Sequence, residues 1–581
     1  MAEGREPLVF SPKTLYELSV PAVAENFFIC KKYLSDIPKV ICFDLYYQLY
    51  KEKRLCLLRM ELSNFKTFAD MLTVTSRRVH LFQIYQSLMD HGVGIEHVLV
   101  ANYKICCLCI TTNSPAQENV INLGLMIGGF LSDAGWYLKS AQVLSACIQL
   151  CKENNNTSKD WCRTLECYRN LLHVQAVYCS FSEAAHTYQC AVELVEQLKD
   201  AGYRDWNYAA LYTEFSVLFY MKSEYDQAYR WSIKALKQLK PTLPARVTID
   251  VLRQAAKSCV LKREFKKAGL LIKQALYLAR KEFDVNHPVY SNVLTDYGFY
   301  LLHYDSIVNS VTVYKTALDI KKEVFGKMNL HVALAHEDLA FALYVYEYAS
   351  GKFQEASDHV GKAIVIMKKL LRGEHLLLAS AKRVKALILE EIALDSASTP
   401  LSEQCLLFKA ECLHLSALKL TKKAFGEMNM QTAKHYGNLG RLYQSMRKFE
   451  AAEAMHVKAI DIKEVLLGPD DYELGLSLEH LASLYNFQMN RYRDAEKLYH
   501  RSLAICLKMF GKSYSGLEYD YRGLIRVYTK LNEYDKVLEY ETMLNDWKVL
   551  RDEHAQSEDL PIDLERCPEP IGDVINTFFS M

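Results

Sequence analysis

One pattern decides what this chain can fold into: a small residue returns every 40 to 44 positions within stretches of helical periodicity. The clearest instance runs Tyr436-Gly437-Asn438-Leu439-Gly440-Arg441-Leu442-Tyr443 and is followed by Ala452, His456 and Ala459. Spacings of three and four place Tyr436, Leu439, Gly440 and Tyr443 on one helical face, and the second trio on one face of a following helix. Gly440 has counterparts in Leu172, Ser216, Ala256, Gly298, Ala340, Ala482 and Ile525. Leu172 and Ile525 depart from the small-residue rule, at the two ends of the series. One further unit lies near Lys385 to Ile388, between longer connections at Tyr346 to Lys352 and Asp395 to Glu403. Gly124 to Cys151 reads as a degenerate earlier member. A small side chain at each crossing lets two helices approach closely, so every period specifies one helix pair. Chance amphipathic helices do not hold one period over about 350 residues. With 23 Gly and 13 Pro in 581 residues, the chain lacks the turn residues an all-β fold consumes.

Large, Leu, small and aromatic residues at positions 4, 7, 8 and 11, then small, large and small at 20, 24 and 27, resemble the tetratricopeptide repeat. The period near 42 resembles the longer repeats of kinesin light chains. Phe325-Gly326, Phe425-Gly426, Leu467-Gly468 and Phe510-Gly511 each put glycine where a helix must stop. The expected fold is all-α: an N-terminal helical box region followed by a tetratricopeptide-repeat superhelix of about nine or ten helix pairs. Residues 1–55 form the box region, 56–115 a helical connector and 116–550 the repeat array. Residues 551–581 carry Pro561, Pro568 and Pro570 and are expected to be mostly disordered, with Phe578 and Phe579 undocked.

The formal net charge of +1 argues against nucleic-acid binding, which needs a basic surface. No G-x-S-x-G, P-loop, H-E-x-x-H or G-x-G-x-x-G is present, so the chain is expected not to be an enzyme and to hold no cofactor. Among 17 cysteines, Cys106 and Cys109 stand at C-x-x-C spacing without a second pair. No metal is expected there, and the cysteines read as buried core residues. His331 and His336 follow from the helix ladder. The N-terminus has no apolar signal core, and Val120 to Leu131 is too short for a span of about 20 residues. The expected location is cytoplasm and nucleus, with cytoskeletal or peripheral membrane association left open.

A stacked array of helix pairs forms a concave binding surface. Helix A positions 2, 5, 6, 9 and 12 supply its wall. They give Asp296, then Glu337 and Asp338, then Lys382 and Lys385 with Arg383 adjacent, then Lys434, Asn438 and Arg441, then Glu479, and last Arg522 and Arg526. An acidic stretch thus precedes a basic one. Paired carboxylates suit an arginine side chain, and Lys, Arg and Asn suit a terminal carboxylate. Peptide recognition is the expected function.

Leu15, Ser19 and Val23 fall at i, i+4 and i+8, with Pro21 expected to kink the helix near Ser19. They resemble the BC-box of elongin B/C-binding receptors. Ile37, Pro38, Val40 and Ile41 resemble a cullin-2 box. The chain as a whole resembles the kinesin-light-chain-like substrate receptors of cullin-2 RING ubiquitin ligases. Phe43-Asp44-Leu45-Tyr46-Tyr47, Gly128 to Tyr137, Lys262 to Ala268, Ala335 to Ala340, Arg383 to Glu391 and Thr432 to Arg441 carry that resemblance. It implies docking of elongin B/C on Leu15, Ser19 and Val23, and of cullin-2, with its RING subunit, on Ile37 to Ile41. It also implies selection of substrate C-termini of the type Arg-x-x-Gly, and a link to the amyloid precursor protein tail and microtubule-dependent transport. The transport link supplies the alternative, a cargo adaptor. Self-association through exposed helix faces is left open.

Overall fold

The computed structural model describes residues 14–110, 115–153, 157–203, 206–348, 351–395, 400–558 and 566–581. Among them are 28 α-helices and two short 3-10 helices, and no strand. Among the described residues, no single helix is long and apolar enough to cross a membrane. The chain divides into one unit of residues 1–170 with 323–326, and another of 171–322 with 327–581.

In the first unit, helix Leu15–Glu25 opens with a capping box. Glu17 N–H donates to Thr14 Oγ1 over 3.2 Å, and Thr14 N–H to Glu17 Oε2 over 2.8 Å. The segment runs on as one helix through Pro21. Ser19 Oγ donates to Leu15 O over 2.7 Å one turn before the proline. Pro38 caps helix Lys39–Lys51, where a missing N–H costs nothing. Phe27, Phe43 and Leu49 are buried beneath these helices. Farther along, Phe68, Tyr85 and Phe130 meet edge to face in the core. Helices Pro115–Asp133 and Tyr137–Lys152 form the degenerate repeat read at Gly124 to Cys151. Ser140 Oγ reaches Gly128 O at 2.6 Å, at the close crossing.

The second unit is the array. Its helix pairs are Ala209–Met221 with Tyr225–Leu236, Ala245–Leu261 with Phe265–Glu282, Pro288–His303 with Ile307–Phe325 and Leu330–Glu347 with Gln354–Leu370. They continue as Leu377–Leu394 with Pro400–Phe425, Met430–Ser445 with Phe449–Leu467, Tyr472–Phe487 with Tyr492–Phe510, and Leu517–Leu531 with Tyr534–Glu558. The recurring small residue does what its spacing implies. A Cβ on Gly440 would lie 2.8 Å from the His456 ring. Ser216 Oγ donates to Ala228 O of the partner helix over 2.7 Å. Gly426, Gly468 and Gly511 end their helices at φ of 81°, 87° and 80°, and with ψ of 174° and −170° the last two lie in a region open essentially to glycine alone.

Successive turns of the superhelix touch within this unit. Asn429 Nδ2 donates to Lys222 O, 207 residues away, over 3.0 Å. Ser515 Oγ donates to Asp305 Oδ1, 210 residues away, over 2.9 Å, and Arg551 pairs with Asp305 at 2.8 Å. Phe181 stacks near Phe425, and Phe265 near Phe510. Separations of 207 and 210 residues correspond to about five repeats per turn, so the concave side is the lumen of stacked turns.

The expected C-terminal boundary needs correction. Helix Tyr534–Glu558 runs past residue 550, and helix Ile571–Ser580 follows. Val574 and Phe578 are buried, the latter 2% exposed, and the helix packs on Phe265–Glu282. Gln274 Nε2 donates to Glu569 O over 2.6 Å, and Glu569 N–H to Gln274 Oε1 over 3.1 Å. Apolar residues at i, i+3 and i+7 (Ile571, Val574, Phe578) give this short segment a buried face despite its polar flank. Residues 559–565 of the expected tail lie outside the described residues.

Candidate functional site

The lumen of the second unit gathers the array's charged side chains. Each is carried inward by a helix A whose opposite face is tied to helix B. Lys321 and Lys463 are the exceptions, reaching in from second helices, and the outcome is a series of ion pairs between neighbouring helices rather than two free blocks of charge. Asp296 accepts from Arg253 at 2.7 Å and lies 3.6 Å from Lys257. Lys434 pairs with Glu473 at 3.0 Å. Lys463, 5% exposed, lies 3.3 Å from the same carboxylate and donates to Ser477 Oγ at 2.9 Å. Arg441 lies 3.0 Å from Glu390 and 3.6 Å from Glu391. Protein surrounds these groups while water still reaches Lys434 and Arg441.

Two pairs of carboxylates lack full compensation. Glu337 is 9% exposed. Burial pushes its carboxyl up to about 7, against a Ser380 hydrogen bond and the Arg383 charge. Burial pushes neighbouring Asp338 up to about 6, with Lys321 opposing and Asp296 reinforcing. Lys321 donates to Thr295 Oγ1 over 2.9 Å. Burial lowers it to about 8. At the far end, Asp520 is fully buried with Ser502 at 3.2 Å and its second oxygen unpartnered. Burial raises Glu479 well above the carboxylate range, with the Asp520 charge adding to it. Such carboxylates bind protons more readily than free ones, and a cation that replaces the lost hydration favours their ionised form.

The basic residues divide. Lys434 and Arg441 are already neutralised by Glu473 and by Glu390 with Glu391, so they build the wall. Lys382 donates to Ser416 on helix Pro400–Phe425 over 2.7 Å, toward helix B. Arg383, next to it in sequence, lies over the Phe341 ring at 5.0 Å. Burial pulls its guanidinium down, only partly offset by Glu337 and Glu473, which leaves an incompletely compensated cation near the acidic pair. Arg522 is exposed and bound to Glu518 at 2.7 Å. Arg526 lies over Phe487 at 4.4 Å. Lys385 and Asn438 are half-buried on their helices. Slots 5 and 9 of the repeat around Ala256 hold Arg253 and Lys257, so extending the same reading one repeat earlier reaches both. Glu473 precedes the first slot of its repeat, and no slot rule reaches it.

The box residues sit elsewhere, in the first unit. Leu15 is 81% exposed, and Leu18, Phe28 and Ile29 are also exposed. Ser19 is exposed and Val23 half-buried. Helix Leu15–Glu25 buries only Ala24 and is anchored by Tyr16 Oη donating to Asp44 Oδ2 over 2.7 Å. Pro38 and Val40 are exposed, Ile37 and Ile41 half-buried.

A superhelical stack of paired helices with a charged concave lumen is a tetratricopeptide-repeat protein, a scaffold for binding other proteins. Residues 431–508 match the tetratricopeptide repeat family. Among solved structures, a kinesin-light-chain-type protein of Podosopora anserina with nearly identical TPR-like repeats is similar at 17% identity. That alignment covers 38% of this chain and 97% of that one, at a TM-score of 0.29. Amyloid protein-binding protein 2 of Mus musculus is 50% identical over 572 residues, 98% of this chain and 97% of the relative. The Rattus norvegicus protein of that name matches to the same extent. The chain belongs to the amyloid protein-binding protein 2 family.

Proposed function

We propose that this protein is a non-enzymatic substrate-recognition adaptor of a cullin-2 RING ubiquitin ligase. The lumen takes a substrate C-terminus of the Arg-x-x-Gly type. Glu337 and Asp338 receive the arginine, and Arg383 stands nearby for the terminal carboxylate. Elongin B/C docks on Leu15, Ser19 and Val23, and cullin-2 on Ile37 to Ile41. Activity follows from proximity: the chain holds the substrate, and transfer belongs to partner subunits.

The observation that carries this reading is the uncovered N-terminal helix. A peptide-binding array has no use for a capped helix that leaves Leu15 and Leu18 in water, followed by a short helix Phe27–Cys30 that leaves Phe28 and Ile29 there too, whereas a docking surface does. The test is co-purification with elongin B/C. Leu15→Asp is expected to abolish the complex, because an unpaired charge at the interface costs on the order of 3–5 kcal/mol. Retained binding would refute the box assignment. A second reading, a cargo adaptor for amyloid precursor protein traffic, draws on the relatives' name. It places a membrane-protein tail in the same lumen and makes the N-terminal helix dispensable.

A further inference from the structure

The first unit contains a cluster that peptide recognition does not use. Cys147 and Cys151 stand one helical turn apart on Tyr137–Lys152, so both thiols leave the same face. Cys167, on helix Ser158–Val177, meets them. Its Sγ lies 3.5 Å from that of Cys147 and 3.7 Å from that of Cys151. All three sulfurs lie within 4.8 Å of one another, and all three residues are buried. An ion about 2.3 Å from each sulfur holds them roughly 3.8 Å apart in a tetrahedral shell and roughly 4.0 Å apart in a planar three-coordinate one. The separations of 3.5 and 3.7 Å fall just inside both values.

The Tyr103 hydroxyl faces Cys147, and the Thr164 hydroxyl and Arg163 guanidinium lie on the side of Cys151. A Cβ on Gly124 would lie 2.0 Å from Tyr103 Oη and 3.1 Å from Cys147 Sγ, so only glycine leaves room for that hydroxyl beside the sulfur. A disulfide fits less well. It would draw the Cys147 and Cys167 sulfurs together by about 1.5 Å and leave Cys151 as an isolated thiol.

We propose that Cys147, Cys151 and Cys167 bind one soft d10 metal ion through three thiolates. Thiolates select copper(I) and zinc among the available ions. No fourth His, Cys, Asp or Glu of the described residues joins the cluster. Structural zinc sites take four protein ligands, so copper(I) is the better match, and zinc would complete its shell with water. Binding forms three metal–sulfur bonds and releases up to three protons, so affinity falls as pH falls. The ion would fasten helix Tyr137–Lys152 to helix Ser158–Val177.

The test uses the full chain, purified in reductant without chelator. Bound metal is counted by mass spectrometry, and copper(I) and zinc(II) are each titrated against a competing chromophoric chelator. One ion per chain is expected, with X-ray absorption reporting three sulfur neighbours. Cys167→Ser should reduce the count at least tenfold, whereas Cys259→Ser, at a buried cysteine outside the cluster, should leave it unchanged. Should Cys167→Ser lose its helical circular dichroism, the wild-type sulfur count decides. Copper and zinc arms distinguish which ion is held, and either supports the site. No retained ion after loading with both metals, full retention in folded Cys167→Ser, or a Cys147–Cys167 disulfide in the reduced chain would overturn it.

Discussion

Affinity for an arginine-bearing C-terminal peptide should depend on pH in a window set by Glu337 and Asp338. Their carboxyls are held up to about 7 and about 6, and only the ionised forms pair with a guanidinium. At pH 8 both are largely ionised. At pH 5.5 the peptide must displace a proton from each. At about 1.4 kcal/mol per pH unit this costs roughly 2 kcal/mol at Glu337 and somewhat under 1 at Asp338. Affinity should therefore fall by about two orders of magnitude from pH 8 to 5.5. Glu337→Gln keeps the side chain's shape but removes one charge-assisted bond, worth about 1.5–3 kcal/mol, or some 10- to 150-fold. The unliganded protein should respond with the opposite sign. A folded-state carboxyl raised above its unfolded value contributes stability at low pH that is lost as pH rises from about 4.5 through 7. Glu337→Gln should thus stabilise the free chain at pH 8 and not at pH 4 while weakening the peptide. Fluorescence polarisation with labelled peptides, beside urea unfolding, reads both. A flat affinity between pH 8 and 5.5, or the same slope for a peptide with glutamine in place of arginine, would refute the reasoning.

Other predictions rest on other parts of the wall and fold. Glu473→Gln leaves Lys463 buried without its anion and should destabilise the array by about 3–5 kcal/mol in urea. Adding Lys463→Met should recover most of that loss, and a double variant no better than the single would contradict the pairing. Arg447 occupies a helix-pair turn at φ 59°, so Arg447→Gly should raise the unfolding midpoint, corresponding to about 0.5–1 kcal/mol. Phe578→Ala should free helix Ile571–Ser580, giving fast hydrogen exchange there while helix Phe265–Glu282 stays protected. Unchanged protection in 571–580 would show that the docking does not depend on that ring.

The array was legible because close helix crossings tolerate so few residues. Gly298 and Ala340 stand 42 residues apart, as do Gly440 and Ala482, and glycines at Phe-Gly and Leu-Gly steps mark the ends. The lumen was legible only in part. Slots on one helix name the residues that point inward, as with Glu337 and Asp338, but not which charges neutralise them. Glu473 reaches Lys434 from outside the repeat's own slots, and Glu390 meets Arg441 from 51 residues upstream. Pairing of this kind belongs to the superhelical rise, which a period alone does not encode. Helix Ile571–Ser580 was hidden by its brevity and its proline-flanked polar surroundings, although Ile571, Val574 and Phe578 carried its periodicity. The three thiols were obscured for a related reason. Cys106 and Cys109 had the familiar spacing, whereas Cys147 and Cys151 share a face only once the helix exists.

The most direct test of the adaptor reading is a reconstituted transfer reaction. The full chain is combined with elongin B/C, cullin-2 and its RING subunit, and offered one substrate protein in two forms, ending in Arg-x-x-Gly or carrying further residues beyond that glycine. Ubiquitin should pass to the first form, not to the second, and to neither when the chain carries Leu15→Asp. Equal transfer to both forms, or an assembled complex that transfers to neither, would contradict the account.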